Sequence, residues 1–84
     1  MMIPADCFEY YEWLKLLFED QGFRIEPYVQ EKVGLSFGLY MLGRRSEILL
    51  VEENEALKVD LSRIENKDFE SIIESIIVDA DFES

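Results

Sequence analysis

The chain has 84 residues, of which 19 are Asp or Glu, 8 are Lys or Arg and none is His, for a formal net charge of −11. So anionic a surface repels phosphate backbones and anionic lipid headgroups, so neither direct nucleic-acid binding nor membrane binding is expected. The lack of His, with a single Cys, also removes Ser-His-Asp and Cys-His nucleophile systems and Cys/His zinc sites.

Hydrophobic residues make up 49% of the chain, too many for a disordered acidic protein, so the charge decorates one folded domain spanning residues 1–84. Arg44-Arg45 is the only adjacent basic pair. Cys7 has no cysteine to pair with, and no basic region followed by an apolar stretch marks a signal peptide, so a reducing cytoplasm is the expected compartment. No apolar run approaches the ~18 residues of a membrane span.

Between Ala5 and Asp20, Cys7, Tyr10, Tyr11, Leu14, Leu17 and Phe18 recur at three- and four-residue steps, the stripe of an amphipathic helix that Gly22 ends. The opposite face carries Glu9, Glu12, Glu19 and Asp20, with Leu16 among them and Trp13 and Phe8 on the flanks. Two readings of that face stand side by side. Trp13 and Phe8 are covered by a sheet edge or loops, or Trp13 and Leu16 form an exposed interface with a carboxylate rim.

From Arg24 to Ser62 the period falls to two. Leu35, Phe37, Leu39 and Met41 alternate with Ser36, Gly38, Tyr40 and Leu42, and Leu57, Val59 and Leu61 alternate with Ala56, Lys58 and Asp60, as in half-buried antiparallel strands. Residues 48–51 are apolar on both faces and predict a central strand, while Pro27 pushes residues 24–30 to an edge. Turn signals at 32–34, 43–46 and 53–55 complete a meander of three to four strands. On the second sheet face the alternation places Tyr28, Tyr40, Leu42, Leu49 and Val51, an apolar set that suggests dimerisation or a partner unless a bulge reverses the assignment.

Phe69, Ile72, Ile73, Ile76, Ile77 and Ala80 form the stripe of a second helix. Ser62 with Glu65 makes one capping box, and Asn66 followed by Asp68 and Glu70 makes another start; Asn66 is preferred because Leu61 still completes the strand pattern. At the far end Asp79, Asp81 and Glu83 oppose the helix dipole, so residues 79–84 are expected to fray into an acidic tail. The order helix, strands, helix predicts an α+β fold with both helices on one face of an antiparallel sheet.

The motifs that carry chemistry fail one by one. Glu52, Glu53 and Glu55 lack the alternating oxygen ligands and the glycine of a calcium loop. Asp60 with Glu65-Asn66-Lys67 only loosely matches the acid and acid-x-lysine set of metal-dependent nucleases, and Gly34 to Gly38 lies inside a strand pattern without the Lys-Ser/Thr of a phosphate loop. Cys7, on the core stripe, reads as a small buried hydrophobe. No catalysis, metal or cofactor is therefore expected.

Two readings remain. In the first, the protein is a non-enzymatic inhibitor that occupies a basic, nucleic-acid-binding type of surface on a protein partner through Glu9, Glu12, Trp13, Leu16, Glu19, Asp20, Glu52, Glu53 and Glu55. In size, charge and missing catalytic residues it resembles anti-restriction and anti-CRISPR proteins of phages, DNA mimics and bacterial immunity proteins, which implies stoichiometric binding. In the second, it is a small homodimeric assembly, accessory or chaperone-like subunit that uses its surplus apolar surface, similar in general character to type III secretion chaperones.

Overall fold

The Asp6 carboxylate accepts the Glu9 N–H (2.9 Å) and caps the first helix, α1 (Cys7–Asp20). Its end is fixed with equal care. Gly22 takes a φ of +93°, the Phe23 N–H donates to the Phe18 carbonyl (2.9 Å), and the Gly22 N–H donates to Glu19 (3.1 Å). This is a Schellman cap, and its accompanying apolar contact is the Phe18–Phe23 ring pair at 5.3 Å. The structure, a computed structural model, describes residues 6–54 and 56–82.

Among the described residues five strands follow: β1 (Arg24–Ile25), β2 (Val29–Glu31), β3 (Gly34–Met41), β4 (Arg44–Glu53) and β5 (Ala56–Asp60). All pairings are antiparallel, and β1 and β2 lie end to end along one edge of β3, so the sheet is a four-rung meander whose first rung is broken. Pro27 explains the break, because it has no N–H for the ladder. Ile25 pairs with Leu39 and Val29 with Ser36, so residues 26–28 oppose only residues 37 and 38. That extra residue is a bulge, and it inverts the alternation between β1 and β2.

On the inner face, Leu35, Phe37 and Leu39 of β3 and Ile48 and Leu50 of β4 meet Tyr11, Leu14 and Phe18 of α1. Phe69, Ile73 and Ile77 of the second helix, α2 (Lys67–Phe82), join the same core. Both helices thus lie on one sheet face, as their apolar stripes predict. Gly34 is required by close approach: a Cβ there would overlap the Leu50 carbonyl oxygen. The β3–β4 hairpin turns at Leu42 (φ 53°) and Gly43 (φ 78°), a two-residue loop of type I′ character, so β4 begins at Arg44, inside the region 43–46 that the sequence marks as a turn.

Asn66 starts α2: its side-chain oxygen accepts the Phe69 N–H (3.0 Å). The Ser62–Glu65 alternative instead lies in a connection where the Ile64 N–H donates to Leu61 (3.1 Å) and Ile64 is buried. The helix continues to Phe82; of the expected acidic tail, residues 83 and 84 lie outside the described residues.

The outer sheet face departs from the apolar surface that alternation predicts. Tyr28, turned inward by the bulge, packs its ring against Phe8 and Tyr11 at 5.2 Å each. Leu42 sits on the hairpin tip, 95% exposed. The face itself is roofed by ion pairs. Arg45 donates to Glu26 (2.8 Å), across Gly38, and Arg63 donates to Glu31 (2.8 Å) and Glu47 (2.6 Å). Glu31 pairs in register with Gly34, and Glu47 with Gly38, so a guanidinium bridging them must sit over Ser36, beside Leu49. Both residues are buried as a result.

The roof has a pH signature. Hydrogen bonds from Arg63 and then Ser36 hold the Glu31 carboxyl down from 4.5 to about 2. Because the folded value lies below the unfolded one, the contribution is complete above about pH 4.5 and is lost as the pH falls toward 2. Arg63→Met is therefore expected to unfold at lower urea than the native chain at pH 7, with the gap closing between pH 4.5 and 2. Urea midpoints across that range check it; a gap independent of pH would assign the loss to packing instead.

Candidate functional site

A helix of 3.6 residues per turn places Glu9, Glu12, Leu16, Glu19 and Asp20 on one side of α1, away from Tyr11, Leu14 and Phe18. That side is solvent-facing along its length: all five residues are exposed, and Leu16 stands 69% open to water between acids one turn before and one turn after it. The ridge from Glu9 to Asp20 extends ~16 Å along the axis. Asp6 bonds to the first turn and Glu9 lies within it, so the helix N-terminus favours both charges.

Trp13 is half-buried. Its ring lies 5.7 Å from that of Tyr10, and it packs at the margin of the core, leaving part of its surface beside Leu16's side of the helix. Phe8, on the opposite flank, is exposed at the helix start and stacks edge-on against Tyr28. With Val33 these rings form an apolar patch that sequence reading does not anticipate, because it depends on the Pro27 bulge turning Tyr28 inward.

The acids of the β4–β5 turn are not one cluster. Glu52 pairs with Leu57 and projects to the helix side, where its carboxylate acts on the Cys7 thiol at the start of α1; Glu53 falls on the opposite face. Glu55 lies outside the described residues. The structure thus brings Glu52 toward the N-terminal end of the α1 ridge and leaves Glu53 apart from it.

Burial, and next the Glu52 carboxylate, push the Cys7 thiol up, and its sulfur lies 3.8 Å from the Leu50 carbonyl oxygen. A thiol so placed is further from its nucleophilic form than a free cysteine. Among the described residues no group of three or more Cys, Asp or Glu is arranged to hold a metal ion, and no helix is long and apolar enough to cross a membrane. A cleft of about 760 Å³ lies between residues 44–47 of β4 and the segment from Ser62 to Phe69. Arg45 and Arg63 on its rim are already engaged by Glu26, Glu31 and Glu47.

What the arrangement offers chemically is a rigid row of carboxylates around an apolar side chain. Such a row attracts cations and guanidinium or ammonium side chains and excludes anions. No protein-family model matches the chain, and no curated protein or solved structure matches it.

Proposed function

We propose that the protein is a non-enzymatic inhibitor that binds a basic surface of a partner protein, of the kind that otherwise holds nucleic acid, with the outer side of α1. The observation that carries the reading is Leu16, 69% exposed on a helix whose inner side is fully committed to the core, with Glu12, Glu19 and Asp20 around it. An apolar anchor inside a charged rim is the usual anatomy of a binding hot spot, and the rim here is predominantly anionic, with Lys15 between Glu12 and Glu19 on one flank. The net charge of −11 steers a cationic partner toward that helix and makes association fast and salt-sensitive. Glu52 extends the anionic surface past the N-terminal end of α1, and the exposed edge of Trp13 widens the anchor.

The test is capture of a partner from a lysate of the source organism at low salt, followed by competition. The expected partner is a basic protein, released by high salt, that loses its grip on DNA or RNA in proportion to the inhibitor added. A partner that binds nucleic acid unhindered with this protein attached would remove the mimic reading.

A further inference from the structure

The two edges of the sheet are built differently, and the difference points to self-association. The edge formed by β1 and β2 is interrupted by Pro27 and a bulge, devices that prevent strand addition. The β5 edge has neither. Which of its backbone groups face outward follows from the ladder. The Glu52 N–H donates across to Val33, on the β3 side, so even-numbered residues of β4 bond to β3 and odd-numbered ones bond to β5. Val51 pairs with Lys58 and Leu49 with Asp60, so the groups of Lys58 and Asp60 are consumed by β4. Those of Leu57 and Val59 point away from the sheet, with no strand of the described residues beside them.

We propose that β5 pairs with β5 of a second copy of this chain, antiparallel about a two-fold axis at Val59. In that register the two Val59 residues exchange N–H and C=O, and at each end the Leu61 N–H reaches the Leu57 carbonyl of the other copy. The Leu61 carbonyl is already used by the Ile64 N–H (3.1 Å), so it is not asked to contribute. The same register sets Lys58 opposite Asp60 of the second copy, twice. Lys58 is exposed and has no ion pair among the described residues, while Asp60 projects from the same outer face. Cross-strand partners of opposite charge on a non-hydrogen-bonded pair lie close together.

The inner side of the edge is complementary as well. Leu57, Val59 and Leu61 are only half-buried, and beside Val59 and Leu61 runs an open groove of about 530 Å³ against Ile77 and Val78 of α2. Addition of the second β5 brings its Leu57, Val59 and Leu61 to that same face, so each copy fills the groove of the other. Lys58 and Lys67 lie at this edge together with Asp60, Glu70 and Glu74, so both signs of charge are present there, whereas the α1 ridge is a row of acids. No residue of the α1 ridge lines this groove, so the pairing uses none of the ridge's side chains.

Sedimentation velocity over a micromolar to hundred-micromolar series tests the pairing, with thermal melts to confirm that each variant is folded. The native chain is expected to dimerise, and Val59→Pro, which deletes an outward N–H without touching a bond to β4, is expected to be a folded monomer. Lys58→Glu and Asp60→Lys should each weaken the dimer roughly tenfold, and an equimolar mixture of the two should recover it, because the mixed pair restores both opposite-charge contacts. A native chain that is monomeric throughout, a dimer that survives Val59→Pro, or a mixture no tighter than its components would overturn the proposal. None of these results bears on partner binding by α1, which is read separately.

Discussion

Phe37→Ala is expected to remove about 3–5 kcal/mol of stability, the range found for truncating a fully buried aromatic residue. Phe37 is 2% exposed at the centre of β3, paired in register with Ile48, and its ring meets that of Tyr11 edge-on at 5.1 Å. Tyr11 in turn donates its hydroxyl to the Glu26 carbonyl (2.8 Å), tying α1 to the bulge between β1 and β2. Losing the Phe37 ring therefore opens a cavity and loosens one of the contacts that hold the broken strand, beside the Glu26 N–H to Gly38 carbonyl bond and the Arg45–Glu26 pair. At roughly 0.05–0.15 kcal/mol per residue, a chain of 84 residues has only ~4–13 kcal/mol in total. The melting temperature should fall by about 15–30 °C. A calorimetric shift of only a few degrees would mean that the core does not centre on this ring.

The second large effect concerns the α1 ridge. Reversing Glu12, Glu19 and Asp20 to Lys changes the net charge by +6, from −11 to −5, on positions that are exposed and make no described contact with the core. Stability should change little, since the substitutions relieve self-repulsion as much as they disturb the surface. Affinity for a basic partner should fall at least about a hundredfold at low salt, because attraction around Leu16 becomes repulsion at the centre of the contact. Net charge alone could produce a smaller effect of the same sign. Reversing Glu65, Glu74 and Asp79 gives the same −5 on surfaces away from the ridge, and this control should keep most of the affinity.

Much of this architecture is legible in the sequence because it is written locally. The step pattern from Cys7 to Phe18 defines the inner side of α1, Gly22 marks its Schellman cap, and Asn66 outranks Ser62 once Leu61 is assigned to the strand pattern. The same wheel that buries Leu14 exposes Leu16, so the acidic ridge follows from spacing alone. What is not legible depends on contacts between distant segments. Arg63 is 32 residues from Glu31 and 16 from Glu47, and nothing local says that it roofs Ser36 and Leu49. Alternation without that roof makes the outer face look apolar and available.

The bulge at Pro27 is a second such case. Pro27 signals an edge, but the extra residue opposite β3 appears only in the pairing register, and it decides that Tyr28 packs on Phe8 and Tyr11. The β3–β4 turn is misplaced for a similar reason. Leu42 adopts a positive φ that is usual for Asn, Asp or Gly in a type I′ loop, so Gly43 announces the turn but nothing announces that the loop starts one residue before it. Ion pairs cover Ser36 and Leu49 while Val29 on the same face stays 64% exposed, and further half-buried apolar side chains line the β5 edge and its groove, where Leu57 and Val59 direct their backbone groups to solvent.

The most direct test of the account uses three baits side by side in a lysate of the source organism, washed at low and then high salt: the native chain, the Glu12/Glu19/Asp20 reversal and the Glu65/Glu74/Asp79 reversal. One basic protein is expected on the native chain and on the second reversal, released by salt from both, and missing from the first. Equal retention by the first reversal, or retention that tracks net charge alone in both variants, would contradict the assignment of the binding surface to α1.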